Sequence, residues 1–325
     1  MSVQQTLIIV KPDGLTKGLV GQILHSLKTH SLVVVDSATT LLPRQWVEEL
    51  YSLERSEVYF TEVVDWVSSA PVLLLMVEGP DAIAKVKWQI IGRYPNGIRG
   101  QYSENWIKNV AHVPDSEESA ERELNLSEQI FENRKKADKD LFKDKMIFAL
   151  TGMSECGKST IGKYLDSRGI PRLKIVRFFE RIRDKWSPQS ELYQFTDEEE
   201  KRNPYALWDV FLNELLVEME TRKVSRVSIE SLYGGPLGPY LKHRMGDRFR
   251  IVYVDISLEI RLQRQMQREG LATTEEAKEI LLPRDQVKAD SGIPALKDIA
   301  DEVIDNSGTR EFLYQAIDEL IARCK

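Results

Sequence analysis

This chain has few cysteines, no long apolar run and no excess of positive charge. Two cysteines in 325 residues are too few for a disulfide framework, which favours a reducing, cytoplasmic location. The longest apolar run, residues 71–77 (PVLLLMV), is far shorter than the ~18 residues of a membrane helix, and residues 1–10 lack a basic lead and a cleavage site. The net charge of −6 is opposite in sign to the footprint of nucleic-acid-binding proteins. We therefore expect neither a membrane nor a nucleic acid as a partner.

The length and composition predict two globular domains. A chain of 325 residues with 42% apolar and 30% charged content can bury two separate cores. The polar, charge-dense stretch 123–145 reads as a helix-biased linker. We predict one domain over residues 1–131, a charged linker over 132–145 and a second domain over 146–325.

The two halves differ in their apolar patterns. Before the linker, short β-branched runs alternate with helical patterns, which indicates a small α+β domain. After it, strand patterns at residues 146–150, 224–229 and 250–254 alternate with helical patterns at 205–222, 258–268 and 311–322. This alternation predicts a three-layer α/β/α domain with a mostly parallel sheet, so the chain as a whole is of the α/β class.

The stretch GMSECGKST, residues 152–160, follows a predicted strand and begins a predicted helix. Its glycines permit a backbone path on which consecutive N–H groups point at phosphate oxygens. Lys158 would neutralise the β- and γ-phosphates of ATP, and Ser159 would place its hydroxyl on Mg²⁺. The predicted nucleotide-binding residues here are Gly152, Ser154, Gly157, Lys158, Ser159 and Thr160.

A carboxylate that positions Mg²⁺ should follow on a neighbouring strand. Glu230, which closes VSIE, is the preferred candidate, and Asp255, which closes IVYVD, is the alternative. Either residue could instead be a plain strand-end cap. Cys156 among the phosphate-binding amides suggests a redox brake, with a small buried residue as the alternative.

Three arginines, Arg261, Arg264 and Arg268, recur three and four residues apart and therefore share one helix face. Such a row could close over a phosphoryl group in transfer and stabilise its charge. A solvated helix face is the alternative interpretation.

From residue 146 onward the chain resembles the P-loop nucleoside monophosphate kinases. Its tail, RDQVKADSGIPALKDIADEVIDNSG, is similar to deoxynucleoside monophosphate kinases and dephospho-CoA kinases. The resemblance implies ATP as donor and a mobile lid that carries Arg264 and Arg268 as catalytic residues, with Arg284 and Asp285 beside it. The acceptor-binding segment falls in VRFFERIRDKW, where Arg177, Arg181 and Arg183 are candidates to grip the acceptor phosphate. The acceptor itself stays open.

A second signature combines KPDG at residues 11–14 with NVAHVPDS around His112. Alone, KPDG reads as a turn and His112 as a structural histidine. Together with GLVGQIL, SSAPVLLLMVEG and IRG they make residues 6–131 resemble the nucleoside diphosphate kinases. This resemblance implies a ferredoxin-like βαββαβ core and a phosphohistidine on His112, formed from a nucleoside triphosphate and discharged onto a diphosphate.

The resemblance also implies roles for other residues. Glu123 would orient His112 so that one tautomer faces the phosphate, and Asn109 would contact the sugar hydroxyls. Lys11, Lys87 and Arg99 would supply cations for the phosphates, although Lys87 stands where the family usually has arginine. Tyr51 would line the pocket of the nucleophile, and Tyr59 would stack on the base.

The sequence departs from this family in three places. The segment between Gly92 and Ile98 is short and lacks a phosphate-contacting threonine, for which Arg93 is the nearest substitute. Pro114 replaces a serine two residues after His112, which predicts reduced activity. The short segment and the missing family C-terminal tail predict a dimer or a smaller assembly instead of a hexamer.

We therefore predict a bifunctional nucleotide kinase that makes a nucleoside diphosphate in its second half and a triphosphate in its first. One alternative is a single active kinase regulated by a nucleotide-sensing domain. Others are dephospho-CoA as the acceptor of the second half, and an ATPase switch that acts on a protein partner.

Overall fold

The computed structural model describes residues 3–92, 97–232 and 237–324, which form two compact units. The N-terminal unit comprises Met1–Ala137 and Tyr193–Leu207, and the C-terminal unit comprises Asp138–Leu192 and Trp208–Lys325. The division predicted from sequence placed Tyr193–Leu207 in the second half. In the structure this segment belongs to the N-terminal unit.

The N-terminal unit is built on a four-stranded antiparallel sheet of order β2-β3-β1-β4. This order, with helices after β1 and β3, confirms the expected ferredoxin-like βαββαβ core. Its elements are β1 (Val3–Val10), α1 (Pro12–Thr16), α2 (Val20–Thr29), β2 (Val33–Thr40), α3 (Arg44–Leu50), α4 (Phe60–Val67), β3 (Val72–Pro80), α5 (Ala82–Ala84), α6 (Ile98–Tyr102), β4 (Ala111–His112) and α7 (Glu117–Phe142), with a π-helical turn at Lys85–Ile90.

The core of this unit lies between one face of the sheet and its helices. Leu7, Ile9 and Leu74 point from β1 and β3 to the same side, because side chains alternate along a strand. They pack against Val47 of α3 and Val64 of α4, and all five are almost fully buried. The buried central strand β1 thereby provides the edge on which the short strand β4 pairs.

Helix α7 covers both the position of Glu123 and most of the predicted linker. The helical bias expected of that stretch is confirmed, but several of its side chains are packed inside the protein. Phe131, Asp138 and Phe142 are buried, and the boundary between the two units falls within the helix at Ala137. The exact domain limits stay a prediction.

The segment Tyr193–Leu207 packs on α2 within the N-terminal unit. A Cβ at Gly21 would lie 1.9 Å from the backbone oxygen of Lys201, and one at Gly18 would lie 2.4 Å from the side chain of Arg202. Tyr205 is buried beside Ser37 of β2, and burial raises the pKa of its phenol to about 12. Gly18, just before α2, and Gly21, within α2, therefore permit a close approach of this segment that larger residues would prevent.

The C-terminal unit contains a five-stranded, wholly parallel sheet of order β6-β7-β5-β8-β9. All six residues of β5 are buried, as expected of a central strand covered on both faces. Its elements are β5 (Met146–Thr151), α8 (Lys158–Ser167), β6 (Arg172–Lys174), α9 (Ile175–Trp186), most of α11 (Pro204–Thr221), β7 (Arg226–Glu230), α12 (Leu237–Met245), β8 (Phe249–Asp255), α13 (Leu258–Glu269), α14 (Thr274–Asp290), β9 (Glu302–Asp305) and α15 (Arg310–Arg323). Helix α10 (Leu192–Arg202), which lies between α9 and α11 in the chain, belongs from Tyr193 onward to the N-terminal unit, as does the start of α11 up to Leu207.

Helices cover both faces of this parallel sheet. Phe148 and Val252 face α8 and α15, where they join a cluster with Leu165 and Ile317. Ile251, the neighbour of Val252 along β8, points to the other face and lies near Gly238 of α12. The three-layer arrangement predicted from the alternating patterns is therefore present.

Within the described ranges, no helix is both long enough and apolar enough to cross a membrane. Cys156 and Cys324 are both buried free thiols.

Candidate functional sites

His112 sits on β4, whose partner strand β1 is buried in the core. Ile9 of β1 is its register partner, and Glu123 approaches its ring from α7. The distance from His112 Nε2 to Glu123 Oε2 is 2.8 Å, and the two side chains are 13% and 3% exposed. Nδ1 of the ring makes no hydrogen bond to any residue that the structure describes. The geometry therefore leaves Nδ1 as the ring nitrogen that can react.

Three predicted residues surround this histidine. The ring of Tyr51 meets that of His112 edge-on, with centroids 5.1 Å apart. Lys11 Nζ lies 5.7 Å from the centroid of the Tyr51 ring and donates hydrogen bonds to Asn109 Oδ1 at 2.8 Å and to the Ile107 carbonyl at 3.3 Å. Lys11 is only 2% exposed, so its charge is held in a largely desolvated place.

The phenol of Tyr51 is buried and has no hydrogen-bond partner among the described residues. Burial, reinforced by the charge of Glu54, raises its pKa well above the usual range, while Arg99 opposes that shift. Tyr51 therefore stays protonated and can donate a hydrogen bond to an anion beside His112.

Arg99 and Lys87 lie close to the same strand. Arg99 donates two hydrogen bonds to the carbonyl of Ala111, at 3.2 Å from Nε and 2.7 Å from Nη2. Lys87 lies on the π-helical turn, with Nζ 3.7 Å from a carboxylate oxygen of Asp115. Both cations therefore flank the segment that carries His112.

Tyr59 and Arg93 are less closely tied to this group. Tyr59 precedes α4 and is half-buried, and burial together with the hydrogen bond that its phenol donates to Glu54 raises the pKa of that phenol. Arg93 lies outside the described residues. The base-stacking role of Tyr59 and the phosphate role of Arg93 stay predictions.

In the C-terminal unit, the glycine-rich loop (residues 152–157) connects β5 to α8. Gly152 has φ of 130° and Gly157 has φ of 105°, values that side-chain-bearing residues rarely adopt. A Cβ at Gly157 would lie 2.1 Å from Asn306 Nδ2, and one at Gly152 would lie 2.5 Å from the carbonyl oxygen of Val254. Both glycines are therefore required by the path of the loop.

The ammonium group of Lys158 points back across this loop. Its Nζ donates hydrogen bonds to the carbonyls of Gly152 and Met153, each at 2.8 Å, and lies 3.2 Å from Cys156 Sγ. Ser159 and Thr160 follow in the first turn of α8, where the Thr160 N–H donates a hydrogen bond to the Gly157 carbonyl at 3.0 Å. One lysine and a helix N-terminus thus converge on one small region.

All three arginines of α13 contact the glycine-rich loop. Arg261 donates to the Ser154 carbonyl at 3.3 Å, and Arg264 donates to the Cys156 carbonyl at 3.3 Å. Arg268 forms an ion pair with Glu155. The row predicted to share one helix face is therefore directed at the loop, whereas its catalytic role stays a prediction.

Three further residues complete the surroundings of this loop. Asp285 of α14 accepts a hydrogen bond from Ser154 N at 3.0 Å and pairs with Arg261, while Asn306 Nδ2 donates to the Cys156 carbonyl at 2.7 Å. Burial, followed by the charge of Lys158, lowers the pKa of Lys288 to about 8. Sequence reasoning did not single out Lys288 or Asn306, because neither residue type carries a signal outside its three-dimensional setting.

The two carboxylates considered for Mg²⁺ both have basic partners. Glu230 is held by Arg172, with two hydrogen bonds of 2.6 Å from Nε and Nη2, and it packs against Gly162 of α8. Asp255 pairs with Lys297 at 2.6 Å. The described residues contain no group of three or more His, Cys, Asp or Glu side chains arranged to hold a metal. The metal roles of Ser159 and Glu230 stay predictions.

A cavity of about 390 Å³ lies beside the edge strand β6. It is lined mainly by cations, of which Arg177 and Arg181 were candidates to grip a phosphate. The third candidate, Arg183, pairs with Asp184 and does not line it. The lining residues are Arg172, Leu173, Lys174, Arg177, Phe178, Arg181, Glu218 and Arg222.

Comparison with known proteins identifies the first half of the chain. A model of the nucleoside diphosphate kinase family matches residues 4–134. A solved nucleoside diphosphate kinase from Aquifex aeolicus is 34% identical, with a TM-score of 0.37, over 38% of this chain and 94% of that one. The nucleoside diphosphate kinase of Frankia casuarinae is 37% identical over 131 residues, which are 39% of this chain and 96% of that protein. The nucleoside diphosphate kinase of Archaeoglobus fulgidus is 36% identical over 145 residues, which are 42% of this chain and 95% of that protein. Because residues 4–134 match the family and span almost the whole of such relatives, this chain belongs to the nucleoside diphosphate kinase family.

Proposed function

We propose that the N-terminal unit transfers the γ-phosphoryl group of a nucleoside triphosphate to a nucleoside diphosphate through His112. The observation that carries this proposal is the 2.8 Å contact between His112 Nε2 and the buried carboxylate of Glu123. This contact holds the ring hydrogen on Nε2, so Nδ1 keeps its lone pair for attack on phosphorus.

The reaction has two symmetrical halves. Nδ1 of His112 forms a bond to the γ-phosphorus while the bond to the bridging β,γ-oxygen breaks, and the diphosphate leaves with that electron pair. A terminal oxygen of a second diphosphate then attacks the phosphohistidine, which restores the histidine. Lys11 and Arg99 would stabilise the charge that develops on the transferring group, and Tyr51 would donate a hydrogen bond to it.

Acid-labile labelling tests this proposal directly. Incubation of the purified protein with γ-³²P-labelled ATP should give label that acid removes, that a nucleoside diphosphate chases and that is missing from His112→Ala. Absence of label on the wild-type protein would overturn the proposal and favour a nucleotide-sensing role for this unit. Lys87 in place of the usual arginine and buried Pro114 in place of serine are the features that favour that alternative.

We further propose that the C-terminal unit is a P-loop kinase that transfers the γ-phosphoryl group of ATP to a nucleoside monophosphate. The glycine-rich loop with Lys158 folded across it supports this proposal, as do the arginines of α13 directed at the loop. Mg²⁺ bound with ATP would screen the phosphate charges, with the Ser159 hydroxyl and the phosphates as its ligands.

The cation-lined cavity beside β6 is where the acceptor phosphate would bind in this proposal. Lys174 pairs in register with Glu230, which pairs in turn with Leu150, two residues before Gly152. Adjacent strands lie about 4.8 Å apart, so Lys174 is about 10 Å from Leu150. An acceptor phosphate held by Arg177 or Arg181 would therefore lie within about a nucleotide's length of the loop.

A panel of acceptors tests this second reaction. Arg177→Ala and Arg181→Ala should raise the KM for the preferred monophosphate without changing that for ATP. Arg183→Ala is the matched control, because this side chain does not line the cavity. Phosphorylation of dephospho-CoA instead of any monophosphate would establish the other acceptor, and ATP hydrolysis that needs no acceptor would establish an ATPase switch.

A further inference from the structure

Val110, two residues before His112, has an unusual backbone conformation. Its φ is +66°, in the left-handed region that β-branched residues avoid. The residue is fully buried and directly precedes β4. Because such strain persists only where surrounding groups impose it, the contacts of the Val110 peptide groups indicate what holds the nucleophile segment.

The turn at residues 11–14 binds both ends of Val110. Asp13 Oδ2 accepts a hydrogen bond from Val110 N at 2.8 Å, and Lys11 N donates one to the Val110 carbonyl at 2.9 Å. A Cβ at Gly14 would lie 2.3 Å from that same carbonyl oxygen, so glycine is needed for this close approach. The KPDG sequence therefore does more than form a turn, because it clamps the residue that leads into β4.

Both carboxylate oxygens of Asp13 accept hydrogen bonds. Its other oxygen, Oδ1, accepts a hydrogen bond from Trp66 Nε1 at 3.1 Å, and the residue is 4% exposed. Two N–H donors thus face one buried carboxylate, which is an acceptor on both oxygens, whereas an asparagine would turn an NH₂ group toward one donor. Asp13 lies in the first turn of α1, but these two bonds reach other elements and do not cap its own helix.

We propose that Asp13 is a positioning residue for phosphoryl transfer at His112. Its carboxylate holds Val110 in the left-handed conformation, and this conformation directs Ala111 and His112 onto β1, beside Glu123 and Arg99. The inference rests on the proposed phosphotransfer function of His112. Asp13 itself touches none of the reacting atoms in this scheme.

A double-variant comparison in the full-length protein tests the role of Asp13. Single-turnover labelling with γ-³²P-ATP would be measured for the wild type, Asp13→Asn, Trp66→Phe, Val110→Gly and the double variant Asp13→Asn/Val110→Gly. A misplaced nucleophile typically slows reaction up to about 100-fold, so Asp13→Asn should slow labelling about 10- to 100-fold with little change in the ATP concentration for half-maximal rate. Trp66→Phe removes the other hydrogen bond and should slow labelling less than about 3-fold.

Rescue distinguishes positioning from simple destabilisation. Glycine adopts φ of +66° without strain, so in the Val110→Gly background the further change Asp13→Asn should slow labelling by less than about 3-fold. An equal loss in both backgrounds, or a loss in Trp66→Phe as large as in Asp13→Asn, would show that Asp13 acts through general packing. If the wild-type protein is labelled and Asp13→Asn is labelled at the same rate, the positioning role of Asp13 is refuted, whereas the proposed function of His112 still stands. An unlabelled wild-type protein would instead refute the proposed function of His112.

Discussion

Glu123 Oε2 lies 2.8 Å from His112 Nε2, on a helix that starts five residues after the histidine. The carboxylate is buried, and its second oxygen lies 3.4 Å from Arg122 Nη2. Glu123 therefore cannot turn to solvent, and it presents an acceptor to one nitrogen of the imidazole. This arrangement selects the tautomer whose unprotonated Nδ1 is available for attack.

Glu123→Gln should slow phosphorylation of His112 by about 100-fold. The amide can donate its NH₂ to Nε2, which favours the tautomer with hydrogen on Nδ1 and removes the nucleophilic lone pair. Quenched single-turnover labelling with γ-³²P-ATP measures the rate. The control is Glu117→Gln on the same helix, whose carboxylate accepts from Gln4 and does not contact His112. Labelling of Glu123→Gln at the wild-type rate would contradict the selection of the tautomer by Glu123.

Lys158→Ala should abolish phosphorylation of the monophosphate acceptor and leave exchange between triphosphates and diphosphates at the wild-type rate. The ammonium group of Lys158 lies against the glycine-rich loop, where it would stabilise the phosphates of ATP. The exchange reaction is unaffected because His112 lies in the other unit. His112→Ala should have the opposite effect. Coupled spectrophotometric assays with monophosphate or diphosphate acceptors measure both reactions. Loss of both activities in either variant would show that the sites are not independent.

Periodic elements of the fold could be predicted from the sequence, but irregular ones could not. Strands β5 and β8 and helices α11 and α13 lie within a few residues of the expected ranges, because buried apolar periodicity marks them directly. Strands β6 and β9 are only three and four residues long, too short to show a pattern. Helix α14 contains Pro283, which normally indicates the end of a helix, yet the helix continues to Asp290. Its start is marked by a capping box between Thr273 and Glu276.

The candidate sites divide in a similar way. The spacing Gly-x₄-Gly-Lys-Ser specified the glycine-rich loop, since the chemistry of phosphate binding needs those residues in one short stretch. The pairing of His112 with Glu123 joins a strand to a helix and was expected only from family resemblance. The partners of Asp13 and the position of Lys288 depend on long-range contacts, which local sequence patterns do not encode.

Lys288 should make the stability of the protein depend on pH above about 8. Its pKa falls from 10.5 in an unstructured chain to about 8 in the fold, because burial and Lys158 disfavour its charge. Below pH 8 Lys288 is protonated in both the folded and the unfolded state, so the free-energy cost of burying its charge is fully present. Between about pH 8 and 10.5 the unfolded state binds more protons, so this group's contribution to the free energy of unfolding rises with pH.

Lys288→Met removes that cost and should stabilise the ligand-free protein at pH 7, with a smaller gain at pH 9.5. Urea unfolding at the two pH values measures the effect, and Lys278→Met, which changes an exposed lysine of the same helix, is the control. ATP binding near pH 8.5 should also take up protons in the wild type more than in Lys288→Met, because phosphate favours the charged lysine. An equal stability difference at both pH values would contradict the lowered pKa.

Gly21→Ala should detach the segment Tyr193–Leu207 from the N-terminal unit. The new Cβ would lie 1.9 Å from the Lys201 carbonyl oxygen and 2.5 Å from its carbonyl carbon, and backbone atoms of a helix cannot shift as cheaply as a flexible side chain. Overpacking of this kind typically costs about 2 kcal/mol. Limited proteolysis followed by mass spectrometry should therefore show faster cleavage between residues 187 and 207. Gly308→Ala is the control, since its Cβ would meet its nearest neighbour at an ordinary 3.8 Å. Equal protection in Gly21→Ala and Gly308→Ala would mean that the contact with α2 does not hold the segment, and that Tyr193–Leu207 is retained by other contacts such as that of Tyr205 with Ser37.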